Sequence, residues 1–316
     1  MPNTEATALP EHASKTGPLI VWVVSDGKPG HVNQSLGLAE ALARATPAEI
    51  HALPALPRSQ AWRAWLSKRV PGAPRPAPDL ILGTGHATHL TLLALRRAHG
   101  GRAVVLMKPS LPRRCFDLCI LPRHDGVPGG ARTLITDGAI NRVSLASARD
   151  SGQGLILVGG TSPHFEWNSG AVQAQIAEIL ARTPHMQWTL TDSRRTPPDF
   201  LAPLTPVPNL EVVPHAETSL DWLPKRLSAA ATVWVTPDSA SMVYEALTAG
   251  ADVGVFDLPA RAKSRVARAV AGLIEARRVT SFAQWHAGDT LNANAQPLAE
   301  ADRCAAWILE WLKKRN

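Results

Sequence analysis

The chain repeats one local pattern: a short apolar run, a loop with glycine and polar residues, and then apolar residues at helical spacing. The run Leu19-Ile-Val-Trp-Val-Val24 is the clearest instance. It is continuous and rich in β-branched residues, which predicts a strand buried on both faces. Residues 25–31 form the polar loop, and residues 33–44 carry the helical spacing. Strand, loop and helix in this order are typical of a parallel sheet covered by helices.

The pattern recurs along the chain and restarts once, after a small, polar segment at 144–153 that is predicted to be a linker. Further strands are predicted at 48–53, 79–82, 103–107, 118–121, 133–135, 154–158, 187–190, 210–213, 231–235 and 252–256. Further helices are predicted after His89 as far as Arg97 and at 171–182, 239–249, 264–277 and 298–314. We therefore predict an α/β fold with two doubly wound, Rossmann-like domains and a central cleft. The predicted units are a flexible tail at 1–17, an N-terminal domain at 18–146 and a C-terminal domain at 147–316. The last helix of the chain either stays with the C-terminal domain or packs on the N-terminal domain.

Length and charge agree with this layout. A chain of 316 residues exceeds what one core usually covers. The net charge of +7 suits a nucleotide, an anionic lipid surface or a nucleic acid, although solvated arginines alone give the same balance. The three cysteines, Cys115, Cys119 and Cys304, fit neither a zinc site nor a disulfide framework. With no signal peptide and no apolar run of about 18 residues, we expect a cytoplasmic protein, with peripheral contact to an anionic inner membrane as an option.

Candidate ligand-binding residues lie in loops after predicted strands, because ligands of doubly wound sheets bind beyond the carboxyl ends of the strands. In the first loop, the segment from Gly27 to Gly30 can present backbone N–H groups at a helix start, where the helix dipole favours anions. His31 follows and can exchange protons near neutral pH. A tight turn with an exposed histidine explains the same residues. The loop lacks the P-loop spacing.

Two further loops of the first half carry weaker signals. The sequence Gly83-Thr-Gly85-His-Ala-Thr88 matches only part of the dinucleotide fingerprint, so a turn facing the cleft is favoured over a dinucleotide site. Lys108 follows another strand and either faces a phosphate or is a solvated charge at the strand end. His86 and His89 are too few to predict a metal site, and we expect neither a metal nor a cofactor.

Two loops of the second half are more informative. In Gly159-Gly-Thr-Ser162 the glycines allow close backbone approach and the hydroxyls can donate to phosphate oxygens. After the strand ending at Val235, Ser239 and Ser241 lie at a helix start, where hydroxyls cap free N–H groups. Glu245 lies about one turn further, where its carboxylate could accept both hydroxyls of a ribose. An ordinary capped helix with a solvated glutamate explains the same pattern.

Three of these segments together resemble the mitochondrial-fission (elongated-mitochondria) family, over about residues 18–290: Ser25-Asp-Gly-Lys-Pro-Gly-His-Val-Asn-Gln34, Val158-Gly-Gly-Thr161 and Asp238-Ser-Ala-Ser-Met-Val-Tyr-Glu-Ala-Leu247. The layout is also similar to GT-B glycosyltransferases, notably the N-acetylglucosaminyltransferase of peptidoglycan lipid synthesis. Some bacterial members of the family carry an epimerase label, but this chain has no Tyr-x-x-x-Lys pair and its only tyrosine is Tyr244.

The resemblance implies roles for individual residues. His31 matches a histidine after a glycine-rich loop, and becomes the candidate general base. Gly159, Gly160 and Thr161 match a Gly-Gly-Ser loop near the donor diphosphate, with threonine in place of serine. Glu245 matches the glutamate that binds the donor ribose. The first loop departs from the all-small pattern, so the acceptor side is expected to differ. The remaining substrate-binding candidates are Asp26, Gly27, Lys28, Gly30, Asn33, Gln34, Gly85, Lys108, Ser162, Asp238, Ser239 and Ser241.

These observations predict a metal-independent glycosyltransferase that moves a sugar from a nucleotide-sugar donor to an acceptor. The sequence does not identify the acceptor, and a component of the cell envelope is one candidate. The alternative is a non-catalytic adaptor on a GT-B-like scaffold, because plant members of the resembling family are tied to recruiting the fission machinery. Nucleic-acid binding is not expected, since no motif for it exists and the chain has only one tyrosine and five phenylalanines.

Overall fold

A computed structural model describes residues 17–70, 72–73, 76–145, 149–204, 207–294 and 296–314. All but the last residue of the predicted tail, 1–17, lies outside the described residues. So does the middle of the predicted linker, 146–148.

The first half of the chain builds one parallel sheet. Its strands are β1 (Leu19–Ser25), β2 (Ala48–Pro54), β3 (Leu80–Thr84), β4 (Arg102–Leu106), β5 (Leu118–Pro122) and β6 (Thr133–Thr136). They are ordered β2-β1-β3-β4-β5-β6, and every neighbouring pair is parallel. The helices between them are α1 (Pro29–Ala45), α2 (Arg58–Ser67) and α3 (His89–His99).

The second half builds another parallel sheet of six strands. They are β7 (Asp150–Leu157), β8 (Gln187–Thr191), β9 (Leu210–Val212), β10 (Ala230–Val235), β11 (Asp252–Val255) and β12 (Thr280–Ser281), in the order β12-β11-β10-β7-β8-β9. The helices of this half are α4 (Ser169–Arg182), α5 (Trp222–Ala229), α6 (Ala240–Ala249), α7 (Arg265–Glu275), α8 (Phe282–His286) and α9 (Glu300–Lys313). Two parallel sheets with covering helices confirm the predicted α/β class with two Rossmann-like domains.

Several predicted boundaries were wrong. β7 begins at Asp150, so residues 150–153 of the predicted linker belong to a strand, because ladder hydrogen bonds do not require apolar side chains. α1 begins at Pro29 instead of 33, and proline suits this first helical position. α2 was not predicted. It buries only Ala61 and Ala64, which are too small to give a clear apolar period.

The last helix returns to the first sheet. α9 packs against α1, and its residues Ala301, Cys304, Ala305 and Ile308 join the core formed by β1, β3 and α1. Their spacing of three and four places them on one stripe of the helix. The chain thus crosses between its two halves twice, once after β6 and once before α9.

The segment after β6 is wedged between α1 and α6. Asn141 Nδ2 donates to Thr248 Oγ1 at 3.1 Å, and a side chain at Gly37 would collide with the Asn141 carbonyl. Arg142 lies between Glu40 and Asp221, at 2.7 and 2.9 Å. These contacts set how the two sheets face each other. No helix in the part of the chain that the structure describes is long and apolar enough to cross a membrane.

Candidate functional site

The loop after β1 holds a histidine against an aspartate. His31 lies in the first turn of α1, and its Nδ1 is 2.8 Å from Oδ2 of Asp26, whose side chain is only 4% exposed. The backbone N–H of Lys28 donates to the other oxygen of Asp26. Burial pushes the pKa of Asp26 upward, but the hydrogen bonds from His31 and Lys28 outweigh it and hold this pKa below its ordinary value. An ionised carboxylate at Nδ1 leaves Nε2 of His31 for another proton partner.

A glycine beneath the ring makes this arrangement possible. Gly85 has a φ of +86°, and a Cβ at this position would collide with the imidazole of His31. Only glycine combines this backbone conformation with such a close approach. The partial glycine motif after β3 therefore supports the histidine from below, which agrees with a turn facing the cleft and gives no reason to expect a dinucleotide.

A groove of about 1200 Å³ opens beside Asp26. Residues 52–57, Trp62, Leu90 and Leu111 make most of its wall apolar. Its polar groups include His89, whose Nδ1 lies 3.2 Å from Ser110 Oγ. Burial, with a smaller effect of His86, lowers the pKa of His89 to about 4, so this histidine is neutral near pH 7. The groove combines an apolar wall with a polar end at Asp26, the carboxylate that holds His31.

The other candidates of the first half lie around this pair. Gly27, Lys28 and Gly30 are exposed at the start of α1. Gln34 donates to the sulfur of Met107 at 3.6 Å. Lys108 is exposed beyond β4 and has no ion pair among the described residues, which is compatible with both of its interpretations.

The glycine loop after β7 is already occupied by protein groups. Gly159 N–H donates to Thr236 Oγ1 at 2.7 Å, and Gly160 N–H donates to Asp238 Oδ2 at 3.1 Å. A Cβ at Gly159 would collide with the Asp238 carboxylate, and one at Gly160 with the Arg195 carbonyl. These glycines therefore allow close approach of other parts of the protein, and their N–H groups are not free for a phosphate. Thr161 N–H likewise donates to the carbonyl of Arg195.

A buried ion pair lies against this loop. The Asp238 side chain is fully buried, and its Oδ2 is 2.6 Å from Nη1 of Arg195, which is 40% exposed. Arg195 Nη1 also donates to the Thr161 carbonyl at 3.2 Å. Asp238 Oδ1 has no hydrogen-bond partner among the described residues. Arg195 was missed from the sequence. Its only signal was its place in the polar loop after β8, at the same edge of the sheet.

The start of α6 is less capped than predicted. Ser239 is its N-cap residue, but its side chain makes no capping hydrogen bond within the described residues, and Ser241 is exposed. The first N–H groups of a helix have no partner inside the helix. A helix start without a side-chain cap can accept an anion. Ser162, by contrast, uses its hydroxyl to accept the N–H of His164.

Glu245 is buried instead of solvated. It is 7% exposed, and its Oε1 accepts a hydrogen bond of 2.6 Å from Nδ2 of Asn33. Burial raises the pKa of Glu245 to about 7, against the smaller lowering effect of the Asn33 bond. Asn33 lies on α1 and Glu245 on α6, so this bond joins the two halves of the molecule, two residues along α1 from His31.

The sequence profile of the mitochondrial fission ELM1 family matches residues 29–312. The chain belongs to this family. The predicted family is thereby confirmed, and the match includes α1, the glycine loop after β7 and α6. A search of curated proteins found no match for this ELM1-family chain.

Solved structures of other proteins share its fold. A Listeria monocytogenes protein provisionally assigned as a UDP-N-acetylglucosamine 2-epimerase is 13% identical, with 95% of this chain and 97% of that chain covered and a TM-score of 0.61. UDP-N-acetylglucosamine 2-epimerase from Neisseria meningitidis, solved with UDP-N-acetylglucosamine, is 12% identical, with 94% and 100% covered and a TM-score of 0.51. MurG from Acinetobacter baumannii is 14% identical, with 94% and 100% covered and a TM-score of 0.50. These likenesses confirm the predicted GT-B fold.

In this ELM1-family chain the site candidates therefore form three groups. The first is the Asp26–His31 pair above Gly85. The second is the Asn33–Glu245 bond between α1 and α6. The third is the loop of Gly159 and Gly160 with Asp238 and Arg195. No group of three or more His, Cys, Asp or Glu side chains suited to a metal ion occurs among the described residues.

Proposed function

We propose that this ELM1-family chain is a metal-independent glycosyltransferase that moves a sugar from a nucleotide-sugar donor to an acceptor held in the groove beside Asp26. The observation that carries the proposal is the Asp26–His31 pair, in which a carboxylate that lines the groove orients the imidazole of His31. We also propose that the acceptor domain comprises residues 18–146 and the donor domain residues 147–316.

His31 acts as the general base. Its Nε2 accepts the proton of the acceptor hydroxyl while the hydroxyl oxygen attacks the anomeric carbon of the donor sugar. Asp26 keeps the proton on Nδ1 and balances the charge of the imidazolium that forms. The bond between the anomeric carbon and the diphosphate oxygen breaks, and the diphosphate leaves with the electron pair.

The leaving diphosphate needs positive charge on the donor side. Because the N–H groups of Gly159, Gly160 and Thr161 are used inside the protein, the groups left for it are the start of α6, with Ser239 and Ser241, and the guanidinium of Arg195. A helix start and an arginine are both suited to phosphate oxygens. We propose Arg195 in place of the glycine N–H groups as the main phosphate contact.

Glu245 is proposed to bind the donor ribose. Its Oε1 now accepts from Asn33, so two ribose hydroxyls must replace or share that bond. A carboxylate that exchanges one amide donor for two hydroxyl donors gains a hydrogen bond, which supports binding. The Neisseria meningitidis protein with this fold was solved with UDP-N-acetylglucosamine, so uridine nucleotides are the first ligands to test.

The first experiment measures thermal unfolding of the whole chain with nucleoside diphosphates and their sugars. A ligand at about 100 times its Kd stabilises a protein by about 2.7 kcal/mol, which raises Tm by several degrees. We expect such a rise with one nucleoside diphosphate and a smaller one with the free nucleoside. The same mixtures, analysed by NMR for an inverted carbon 2 of the sugar, test for epimerisation, since proteins described as 2-epimerases share this fold.

The adaptor function also has an observation in its favour. Glu245 is hydrogen-bonded to Asn33, and the N–H of Gly160 is hydrogen-bonded to Asp238. Two of the groups predicted to contact the nucleotide-sugar therefore have partners within the protein. A scaffold that binds no nucleotide would have the same contacts. If no nucleotide changes Tm, while the chain still unfolds cooperatively, the transferase proposal is wrong and the adaptor is favoured.

A further inference from the structure

The positive charge of the chain is concentrated in one segment. Residues 50–116 contain eleven Lys and Arg side chains and a single acidic one, Asp79, which amounts to +10. The whole chain carries +7, so the rest of it is net negative. The carboxylate of Asp79 accepts a hydrogen bond of 2.9 Å from the backbone N–H of Ile20. The segment begins within β2, after Glu49, ends before Asp117 and includes α2, α3 and β4.

Within this segment, α2 exposes large apolar side chains. Trp62 is 50% exposed and Leu66 is 67% exposed. Their spacing of four residues places them on the same side of the helix. The opposite side carries the buried Ala61 and Ala64. The apolar exposure therefore lies on the outer side of α2, away from the core.

Three arginines lie near these two apolar residues along the helix. Arg58 precedes them by one turn, Arg63 lies between them, and Arg69 follows the helix end, and all three are exposed. We call Arg58, Trp62, Arg63, Leu66 and Arg69 the basic face of α2. An amphipathic helix with Arg and Trp in this arrangement suits the plane where lipid head groups meet acyl chains.

Contacts beneath the basic face hold it in place. The Trp62 and Trp65 rings meet edge to face, with centroids 5.7 Å apart. The guanidinium of Arg97, on α3, lies 4.5 Å from the centre of the Trp65 ring. α2 is thus packed on α3 by its inner aromatic ring, and the outer ring of Trp62 remains exposed at a fixed position.

The basic face also borders the groove. Arg58 and Trp62 belong both to the basic face and to the groove lining that includes Asp26. A flat surface that contacts the basic face would therefore cover or adjoin the mouth of the groove. A nucleic acid would also meet the cations, but the exposed Leu66 offers it neither stacking nor hydrogen bonds.

We propose that the basic face of α2 docks the protein on an anionic lipid bilayer, with Trp62 and Leu66 entering the head-group region and the arginines contacting lipid phosphates. The groove then opens toward the bilayer and takes its acceptor there. The second statement rests on the proposed transferase function, whereas docking itself does not.

The test is co-sedimentation of the full chain with vesicles of phosphatidylcholine alone or mixed with phosphatidylglycerol. We expect binding to the mixed vesicles only, weakened by added salt. Leu66→Ala should lower the partition coefficient roughly threefold or more, because less apolar surface enters the bilayer. Arg63→Glu with Arg69→Glu should lower it roughly tenfold or more, because both charges are reversed near the anionic surface.

The matched control is Leu220→Ala with Lys225→Glu, because Leu220 is 77% exposed and Lys225 is exposed on α5, in the other half of the chain. The control should bind vesicles like the parent. Equal vesicle binding by the control and the basic-face variants would overturn the proposal, as would equal binding to neutral vesicles. A single-stranded oligonucleotide that binds more tightly than the vesicles, and equally to the parent and Leu66→Ala, would instead assign the face to nucleic acid.

Calorimetry with UDP separates this proposal from the proposed function. None of the substituted residues lies in the groove or the cleft, so every variant should bind UDP like the parent, and equal UDP binding also demonstrates a folded chain. UDP binding without vesicle binding contradicts the docking proposal alone. Vesicle binding without binding of any nucleotide contradicts the transferase and leaves the docking surface standing.

Discussion

The loop after β1 and the loop after β7 each carry two glycines beyond a buried strand but use them differently. After β1, Gly27 and Gly30 have open space around them, and the loop is followed by His31, which is held by the groove-lining Asp26. After β7, Gly159 and Gly160 are in close contact with Asp238 and with the Arg195 backbone. A glycine after a strand thus indicates that something approaches the backbone, but not whether it is a ligand or another part of the protein.

The largest expected effect tests the chemical role of the first loop. His31→Ala should reduce sugar transfer by about 10²–10⁴-fold, because the acceptor hydroxyl loses its base. Tm should stay nearly unchanged, since the ring is partly exposed. Steady-state rates and a melting curve measure both, with His51→Ala as the control, because the imidazole of His51 lies beside Glu49 on β2. A variant that unfolds, or one that keeps the parental rate, would contradict the assignment of His31 as base.

The next effect tests the structural role of the second loop. Gly159→Ala should destabilise the protein by about 1–3 kcal/mol, because the new methyl group meets the buried Asp238 carboxylate. Gly30→Ala, in the first turn of α1 with open space around it, should instead stabilise by up to about 1 kcal/mol. Urea unfolding compares the two variants. An equal decrease in the free energy of unfolding for both variants would contradict the proposed difference between the two loops.

A third prediction concerns the pH dependence that Glu245 introduces. Its pKa is raised from 4.5 to about 7 in the folded protein, so the folded state holds this proton more tightly than the unfolded chain does. Stability from this group is therefore full below about pH 4.5 and is lost as the pH rises through about 7, by up to roughly 3 kcal/mol.

Glu245→Gln should remove this slope and be more stable than the parent above about pH 7, because a glutamine oxygen can still accept from Asn33. Urea unfolding across this pH range measures the slope. The same variant should bind the nucleotide about tenfold more weakly, with a smaller loss for a 2′,3′-dideoxy nucleotide. An unchanged slope in Glu245→Gln would assign the pH dependence to another group.

The smallest stability effect concerns the start of α6. Ser239→Ala should change stability by less than about 0.5 kcal/mol, because no capping bond is lost. Asn168→Ala provides the matched control, since Asn168 caps α4 by accepting the N–H of Ala171, and its loss should cost about 1 kcal/mol. If Ser239→Ala destabilises as much as Asn168→Ala, the start of α6 is capped in solution and is a poorer anion site.

Local pattern was enough to predict most of the fold. The apolar run of β1 and the inner strands that follow it alternate with helices because these strands are buried on both faces and most helices on one. The Asp26–His31 pair was also within reach of the sequence, since only five residues separate the partners and both follow β1. α2 was missed because its buried residues are alanines, whose small size hides the helical period.

Tertiary structure alone decided which candidates meet. Asn33 and Glu245 are 212 positions apart, and nothing in either segment predicts that the Asn33 amide donates a hydrogen bond to the Glu245 carboxylate. The same holds for Asp238 and Arg195, which contact the glycine loop and each other. They lie in the loops that follow β10 and β8. Sequence periodicity determined the strands, the helices and the edge where functional loops gather, because burial of neighbouring residues is a local property. Pairing across the cleft depends on how the two sheets close on each other, and that is set by packing between residues far apart in the chain.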